Sequence, residues 1–129
     1  MILDTSVLVA VILREPGFGD LSRKVFEAPV RAIGAPSAAE AAIVLDVKLG
    51  PPRGRQSLSQ LLHEWDVMIV PFNDDHWKEA AHAYARFGRG RHKAALNFGD
   101  CLTYAVARLA DEPLLCVGDG FRKTDLRLA

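Results

Sequence analysis

The feature that most restricts the fold of this chain is a series of short apolar segments, each separated from the next by a stretch with helical periodicity. The apolar segments lie at residues 1–4, 30–34, 67–70 and 114–117. Short strands that are apolar on both faces are typical of parallel sheets covered by helices on each side. The pattern therefore predicts an α/β protein with three layers, α/β/α, around a short, mainly parallel central sheet.

The stretches between these strands have apolar residues at helical spacing and are bounded by Gly, Pro and Asn. They predict helices over 5–13, 18–27, 37–49 and 100–109, one with the stripe Leu58, Leu61, Leu62 and Trp65, and one capped by Asn73 that ends near Phe87. Internal repeats and low-complexity segments are absent from the 129 residues. We expect a single domain over 1–129.

The charge of the chain is balanced, because 16 Lys and Arg residues face 16 Asp and Glu residues and the formal net charge is zero. A protein that holds nucleic acid by bulk electrostatics usually has a clear basic excess. The balance excludes that mode of binding and also an acidic tail. Charges that serve a function must therefore act through their placement.

The sequence also indicates the compartment. Its longest apolar stretch, residues 1–13, is interrupted by Asp4 and is too short to span a bilayer or to form a secretory signal. The two cysteines, Cys101 and Cys116, lack the spacing of a zinc site and are expected to be buried free thiols, although a disulfide between them stays open. We expect a cytoplasmic protein.

Four acidic residues stand where the predicted strands end or the following helices begin. Asp4 ends the first strand, Glu40 lies near the start of the helix after the second, Asp100 begins the helix before the last strand, and Asp119 follows that strand. The carboxyl ends of parallel strands share one edge of a sheet, where ligands bind. Carboxylates gathered there repel one another unless a hard cation such as Mg²⁺ neutralises them. Such a site suits hydrolysis of phosphodiesters by a metal-activated water.

Each acid also has a local structural interpretation. Asp4 could cap the first helix, and Asp100 could favour a helix N-terminus through the helix dipole. Ser37 and Glu40 have the spacing of a capping box, and Asp119 precedes a glycine in a common turn pair. Thr5 and Ser6 could position the Asp4 turn or serve a metal site, or simply start the helix.

A basic loop leads into Asp100. No acid occurs between Glu79 and Asp100, and the loop contains glycines that allow close approach of a ligand. The residues in it that could hold a phosphate-bearing substrate are Arg89, Arg91, His92 and Lys93. Arginine side chains can hold phosphates while a metal acts on one of them. A solvated charged loop is the alternative, and Arg53 and Arg55 form a weaker second basic patch.

Four segments carry a family resemblance. They are Ile2-Leu3-Asp4-Thr5-Ser6, the Ser37-x-x-Glu40 helix start, the run from Gly88 to Cys101, and the run from Leu114 to Leu126. Together they resemble the PIN-domain ribonucleases of the VapC toxin type over essentially the whole chain. The resemblance implies an endoribonuclease that depends on Mg²⁺ or Mn²⁺, is the toxin of a type II toxin–antitoxin system, is inhibited by a VapB-like antitoxin, and usually forms a homodimer.

The resemblance also implies the site residues. The catalytic and metal-binding acids are Asp4, Glu40 and Asp100 with a fourth after the last strand, and with the acids so assigned the candidate RNA-binding residues are Arg89, Arg91, His92 and Lys93. From their places beside these acids in the sequence, Thr5, Ser6 and Asn97 are expected to support the site. The family often has an aspartate where this chain has Gly120, so Asp119 is predicted as the fourth acid, with Asp125 in reserve. This departure leaves open a second interpretation, a weakly active or inactive PIN-fold module that binds antitoxin or RNA.

Overall fold

Four short strands form the centre of the computed structural model, which describes every residue from Met1 to Ala129. They are β1 (Ile2–Leu3), β2 (Ala32–Gly34), β3 (Met68–Val70) and β4 (Leu114–Leu115). All neighbouring pairs are parallel, and the order across the sheet is β3-β2-β1-β4. The predicted parallel sheet is therefore confirmed, with each strand one or more residues shorter than its apolar segment.

Six α-helices and one turn of 3₁₀ helix surround this sheet. They are α1 (Thr5–Ile12), α2 (Phe18–Glu27), α3 (Ala35–Leu49), α4 (Arg53–Glu64), α5 (Asp74–Phe87), α6 (Phe98–Ala110) and the 3₁₀ turn Phe121–Lys123. Two helices begin two residues before their predicted starts. Pro36 fits in the first turn of α3, because proline lacks the N–H that is unpaired there anyway, and Asn97 caps α6 directly before Phe98.

The strands divide the core into two apolar clusters because successive side chains of a strand point to opposite faces. Ile2, Ala32 and Leu114 pack on the side of α5 and α6. On the other side, Leu3, Ile33 and Leu115 pack against α1, α3 and α4. Ile2 is in register with both Ala32 and Leu114, so each face presents a continuous apolar row. The predicted three layers follow from this alternation.

The expectation that all four strands are buried is wrong for β3. Met68 and Ile69 are 56% and 47% exposed because β3 forms an open edge of the sheet. The opposite edge is covered by the last residues of the chain. Leu114 N–H donates to the carbonyl of Arg127 at 2.9 Å, and Ala129 N–H donates to the carbonyl of Leu114 at 2.9 Å. Sequence periodicity does not distinguish a central strand from an edge strand.

Buried and exposed side chains elsewhere agree with most expectations. Both cysteines are free thiols, Cys101 buried and Cys116 half-buried. Trp65 belongs to the core, whereas Trp77 is 55% exposed on α5. None of the helices is both long enough and apolar enough to cross a membrane.

Candidate active site

Asp4 lies at the carboxyl end of β1 and caps α1. Its N–H donates to the carbonyl of Leu115 at 2.9 Å, which attaches it to β4. Its Oδ2 accepts hydrogen bonds from Ser6 N at 3.0 Å and from Ser6 Oγ at 2.5 Å. Ser6 Oγ in turn accepts from Val117 N at 3.0 Å. The predicted helix-capping role is therefore present, and the same contacts hold Asp4 at the sheet edge, where its side chain is buried.

Glu40 reaches the same edge from the second turn of α3. Thr5 Oγ1 lies 3.3 Å from Glu40 Oε2 and 3.0 Å from the carbonyl oxygen of Ser37, and donates to one of them at a time. The capping-box interpretation of Ser37 and Glu40 is wrong. Because α3 begins at Ala35, Ser37 lies inside the helix, and its hydroxyl contacts Thr103 Oγ1 at 2.9 Å.

Asp100 stands in the first turn of α6 and forms a reciprocal capping box with Asn97. Asp100 Oδ2 accepts from Asn97 N at 2.9 Å, and Asp100 N donates to Asn97 Oδ1 at 2.8 Å. Asp100 Oδ1 takes part in no hydrogen bond. The helix start thus fixes the carboxyl group through one oxygen and leaves the other oxygen accessible.

One cleft of about 410 Å³ joins these residues. Its lining includes the predicted acids and the two residues after Asp4, namely Asp4, Thr5, Ser6, Glu40, Asp100 and Asp119. Asp119 lies at the rim, since its side chain is 81% exposed and its Oδ1 is 3.7 Å from Nε of Arg122. The tertiary structure therefore brings the four acids predicted from the sequence to a single cavity.

Burial and mutual repulsion raise the pKa values of two carboxyl groups in this cleft. Burial raises the pKa of Glu40 above its ordinary value, and the charges of Asp4 and Asp100 raise it further, against the hydrogen bond from Thr5. Burial also raises the pKa of Asp100, with Asp4 adding to the effect, while the Asn97 N–H and the charge of Arg89 act in the opposite direction. Partly buried, mutually repelling carboxylates are a common property of functional sites.

The donor atoms of the cleft match a hard divalent cation. All are carboxylate or hydroxyl oxygens, which Mg²⁺ and Mn²⁺ prefer, and no histidine lines the cavity. With the side chains as oriented, no three acidic, histidine or cysteine residues are close enough to hold one ion. The cleft therefore fits a hard cation in the type of its donor atoms.

Asp125, the reserve candidate for the fourth acid, lies outside the cleft. It accepts a hydrogen bond from Tyr104 Oη at 2.7 Å and pairs with Arg86 at 3.4 Å. Partial burial works to raise the pKa of Asp125, but the Tyr104 hydrogen bond and the charges of Arg86 and Arg108 outweigh it and lower the value. These contacts attach the C-terminal segment to α5 and α6, so Asp125 has a structural role.

The four basic side chains of the loop have different surroundings. Arg89 is the member whose charge acts on Asp100. Arg91 lies over the ring of Tyr84, 5.6 Å from its centroid. His92 Nδ1 accepts from Ala94 N at 3.0 Å, and the His92 ring packs edge-on against Phe87. Lys93 is exposed. None of the four candidate RNA-binding residues lines the cleft of the acids, and Arg89 is the one whose charge acts on Asp100.

Two residues of the site were not selected from the sequence. Thr103 Oγ1 donates to Asp4 Oδ1 at 3.0 Å, and a Cβ built on Gly99 would lie 2.8 Å from Glu40 Oε2. Thr103 could have been found, because residues three apart share a helix face and Thr103 follows Asp100 by three. Gly99 offered no signal beyond its place next to Asp100.

Because the pKa of Glu40 is raised, we predict that Glu40→Gln increases the thermal stability of the metal-free protein in a pH-dependent way. A carboxyl group whose pKa is higher in the folded state contributes stability below its unfolded-state pKa, and that stability is lost as pH rises through the folded-state pKa. Glutamine carries no charge, so the variant should melt at a higher temperature than the parent at about pH 7 and should lose this advantage near pH 4. Thermal melts with chelator measure the difference. A lower melting temperature for the variant at neutral pH would contradict the inference that burial and neighbouring carboxylates disfavour the charged form of Glu40.

Comparisons with known proteins agree with this architecture. A family model described as the PIN domain matches residues 1–126. A ribonuclease VapC of Mycolicibacterium smegmatis is 43% identical over 98% of this chain and 97% of its own length. Ribonuclease VapC36 of Mycobacterium tuberculosis is 41% identical over 98% of this chain and 91% of its own length.

Two solved structures are similar in fold. The crystal structure of Mycobacterium tuberculosis VapC20, described as a sarcin-ricin loop cleaving toxin, has a TM-score of 0.80 at 16% identity and covers 99% of this chain and 97% of its own. A toxin–antitoxin complex from Klebsiella pneumoniae has a TM-score of 0.72 at 16% identity and covers 99% and 95%.

Proposed function

Because this chain belongs to the PIN-domain family, among its VapC ribonucleases, we propose that it is a metal-dependent endoribonuclease and the toxin of a type II toxin–antitoxin system. The observation that carries the proposal is the cleft at the carboxyl edge of the sheet. There Asp4, Glu40 and Asp100 arrive from three different elements, and the pKa values of the last two are raised. Ionised carboxylates gathered in one partly buried cleft repel one another, and a bound cation would offset that repulsion.

Asp4, Glu40 and Asp100 would hold Mg²⁺ or Mn²⁺, with Asp119 assisting from the rim. When bound, the cation would supply positive charge that activates a water molecule and stabilises the transferring phosphoryl oxygens. Ser6 holds the Asp4 carboxylate, Asn97 holds that of Asp100, and Thr5 reaches Glu40. Each carboxylate therefore has a neighbouring residue that restricts its orientation.

Arg89, Arg91, His92 and Lys93 would position the RNA backbone, and the charge of Arg89 also acts on Asp100. We expect Arg89→Ala to weaken RNA binding and to reduce the slope of log affinity against log salt by about 0.7, the value for one phosphate contact on a single strand. Binding titrations at several salt concentrations measure the slope. Lys48→Ala is the matched control, since Lys48 lies in the last turn of α3, about 12 Å along the helix from Glu40. Equal slopes for the two variants would remove Arg89 from the RNA site.

Two protein partners belong to the proposal. A VapB-like antitoxin would inhibit the enzyme, and the structural similarity to a toxin–antitoxin complex supports that partner. A second copy of the chain would cover the exposed apolar groove of about 710 Å³ between α5 and α6, which is lined by Trp77, Tyr84 and Phe98. Exposed aromatic residues around one groove are typical of protein interfaces.

Cleavage of total RNA by purified protein, with mapping of the cut sites, tests the proposed activity. We expect cleavage with Mg²⁺ or Mn²⁺, loss of cleavage with chelator, and recovery when the metal is restored. Cleavage that persists in chelator would contradict the metal mechanism. Binding of antitoxin or RNA with no cleavage under any metal condition would favour the alternative, an inactive PIN-fold module. Gly120, which stands before Phe121, is the sequence feature that motivates this alternative.

A further inference from the structure

We propose that Thr103 is a positioning residue for Asp4, and that its hydroxyl, supported by Ser37, holds the one Asp4 oxygen that is open to a cation. The inference rests on the proposed metal-dependent function, because it concerns how one ligand of that site is oriented. Thr103 lies on α6, Ser37 on α3 and Asp4 at the end of β1.

The direction of the hydrogen bonds follows from the chemistry of the groups. An ionised carboxylate only accepts, so at 3.0 Å Thr103 Oγ1 must donate its single proton to Asp4 Oδ1. The Thr103 oxygen can then only accept from Ser37 Oγ, which is 2.9 Å away. The result is a chain in which Ser37 donates to Thr103 and Thr103 donates to Asp4.

The two oxygens of Asp4 are not equivalent. Oδ2 accepts from both Ser6 N and Ser6 Oγ, which occupies both of its lone-pair directions. Oδ1 accepts from Thr103 alone and retains one lone pair. The oxygen that Thr103 contacts is therefore the one that can bind a cation. Rotation of the carboxylate away from this orientation would break bonds at both oxygens.

The hydrogen bond from Thr103 to Asp4 is shielded from solvent. Thr103 and Ser37 are both buried, as is Asp4, so water does not readily replace a lost hydroxyl. Thr103 also follows Asp100 by one turn on α6, which links the orientation of Asp4 to the helix that carries another predicted ligand. Groups that hydrogen-bond to metal ligands in this way typically change metal affinity or activity by 10–100-fold when they are replaced.

The experiment compares Mn²⁺ affinity, measured by electron paramagnetic resonance, in the parent and in Thr103→Val, Thr103→Ser and Ser37→Ala. Valine keeps the shape of threonine and removes the hydroxyl, so we expect Mn²⁺ to bind about 10-fold or more weakly. Serine keeps the hydroxyl and should restore the affinity. Ser37→Ala should have a smaller effect than Thr103→Val, because Thr103 can still donate to Asp4. Thermal melts without metal establish that each variant is folded, and Thr103→Ala replaces Thr103→Val if valine prevents folding.

The controls separate this inference from the function on which it rests. If the parent binds Mn²⁺, Asp4→Asn does not, and Thr103→Val binds like the parent, the positioning role is overturned while the metal site stands. Equal weakening by Thr103→Val and Thr103→Ser would also overturn it, because the hydroxyl would not be the cause. If the parent itself binds no Mn²⁺, both the metal site and the positioning role are overturned.

Discussion

Asp4→Asn is expected to lower the rate of metal-dependent RNA cleavage by more than about 100-fold. Replacing a residue that only hydrogen-bonds to a metal ligand costs up to about 100-fold, and Asp4 is itself a predicted ligand. Asparagine has the shape of aspartate, but it is neutral and only one of its two terminal atoms accepts hydrogen bonds. At position 4, asparagine would lack the negative charge that attracts the cation. It also could not accept hydrogen bonds from both Ser6 and Thr103, because only one of its two terminal atoms is an acceptor. Cleavage of a labelled RNA over a range of Mg²⁺ concentrations measures the loss.

A thermal melt provides a second measurement that does not depend on activity. Mg²⁺ that binds only the folded state raises the melting temperature by mass action, and Asp4→Asn should reduce that increase. Asp125→Asn is the matched control, because Asp125 lies outside the cleft and bonds to Tyr104. It should lower the melting temperature through the lost pairing and leave the response to Mg²⁺ intact. An unchanged Mg²⁺ response in Asp4→Asn would remove Asp4 from the metal site.

Gly99→Ala is the second variant for which we expect a large effect. The added Cβ would lie 2.8 Å from Glu40 Oε2, so the Glu40 carboxylate must move. Displacement of a catalytic group by about 1 Å can cost about 100-fold in rate, and we expect a loss approaching this value. Stability should not fall, since the contact is with the end of a flexible side chain and alanine is favoured over glycine in a helix. Cleavage kinetics and a thermal melt on the same preparation check both expectations.

Gly19→Ala provides the comparison for Gly99→Ala. Gly19 lies within α2, and no atom is found within 4 Å of a Cβ built on it. This variant should gain the same helical stabilisation without a change in cleavage. If Gly99→Ala cleaves RNA as fast as Gly19→Ala, the position of Glu40 does not limit the reaction.

The acids could be predicted from the sequence because topology constrains them strongly. Four short apolar strands joined by helices form a parallel sheet, and their carboxyl ends lie at one edge. Asp4 directly follows β1, and Asp119 lies a short turn after the adjacent strand β4, so both are placed near that edge. The family resemblance also selects Asp4, Glu40 and Asp100, whereas Gly120 departs from the family's pattern at the fourth acid.

Helix boundaries and the local partners of polar residues were less predictable. Ser37 has the spacing of a capping residue with Glu40, yet the helix starts at Ala35 because Pro36 is well suited to a first turn. The basic loop was predicted as one group, although His92 is used by the loop itself and Arg91 lies over Tyr84. Composition reveals which charges are available, whereas packing decides which of them are already paired.

The class of fold, the family and the edge of the sheet where the acids lie all follow from patterns in the sequence that are insensitive to details of packing. Which atoms are available at that edge depends on the tertiary structure. It placed Asp119 at the rim, bound Asp125 to Tyr104, and brought Thr103 against Asp4 from 99 residues away along the chain. Hydrogen bonds act over about 3 Å, so their partners depend on how the helices pack in three dimensions.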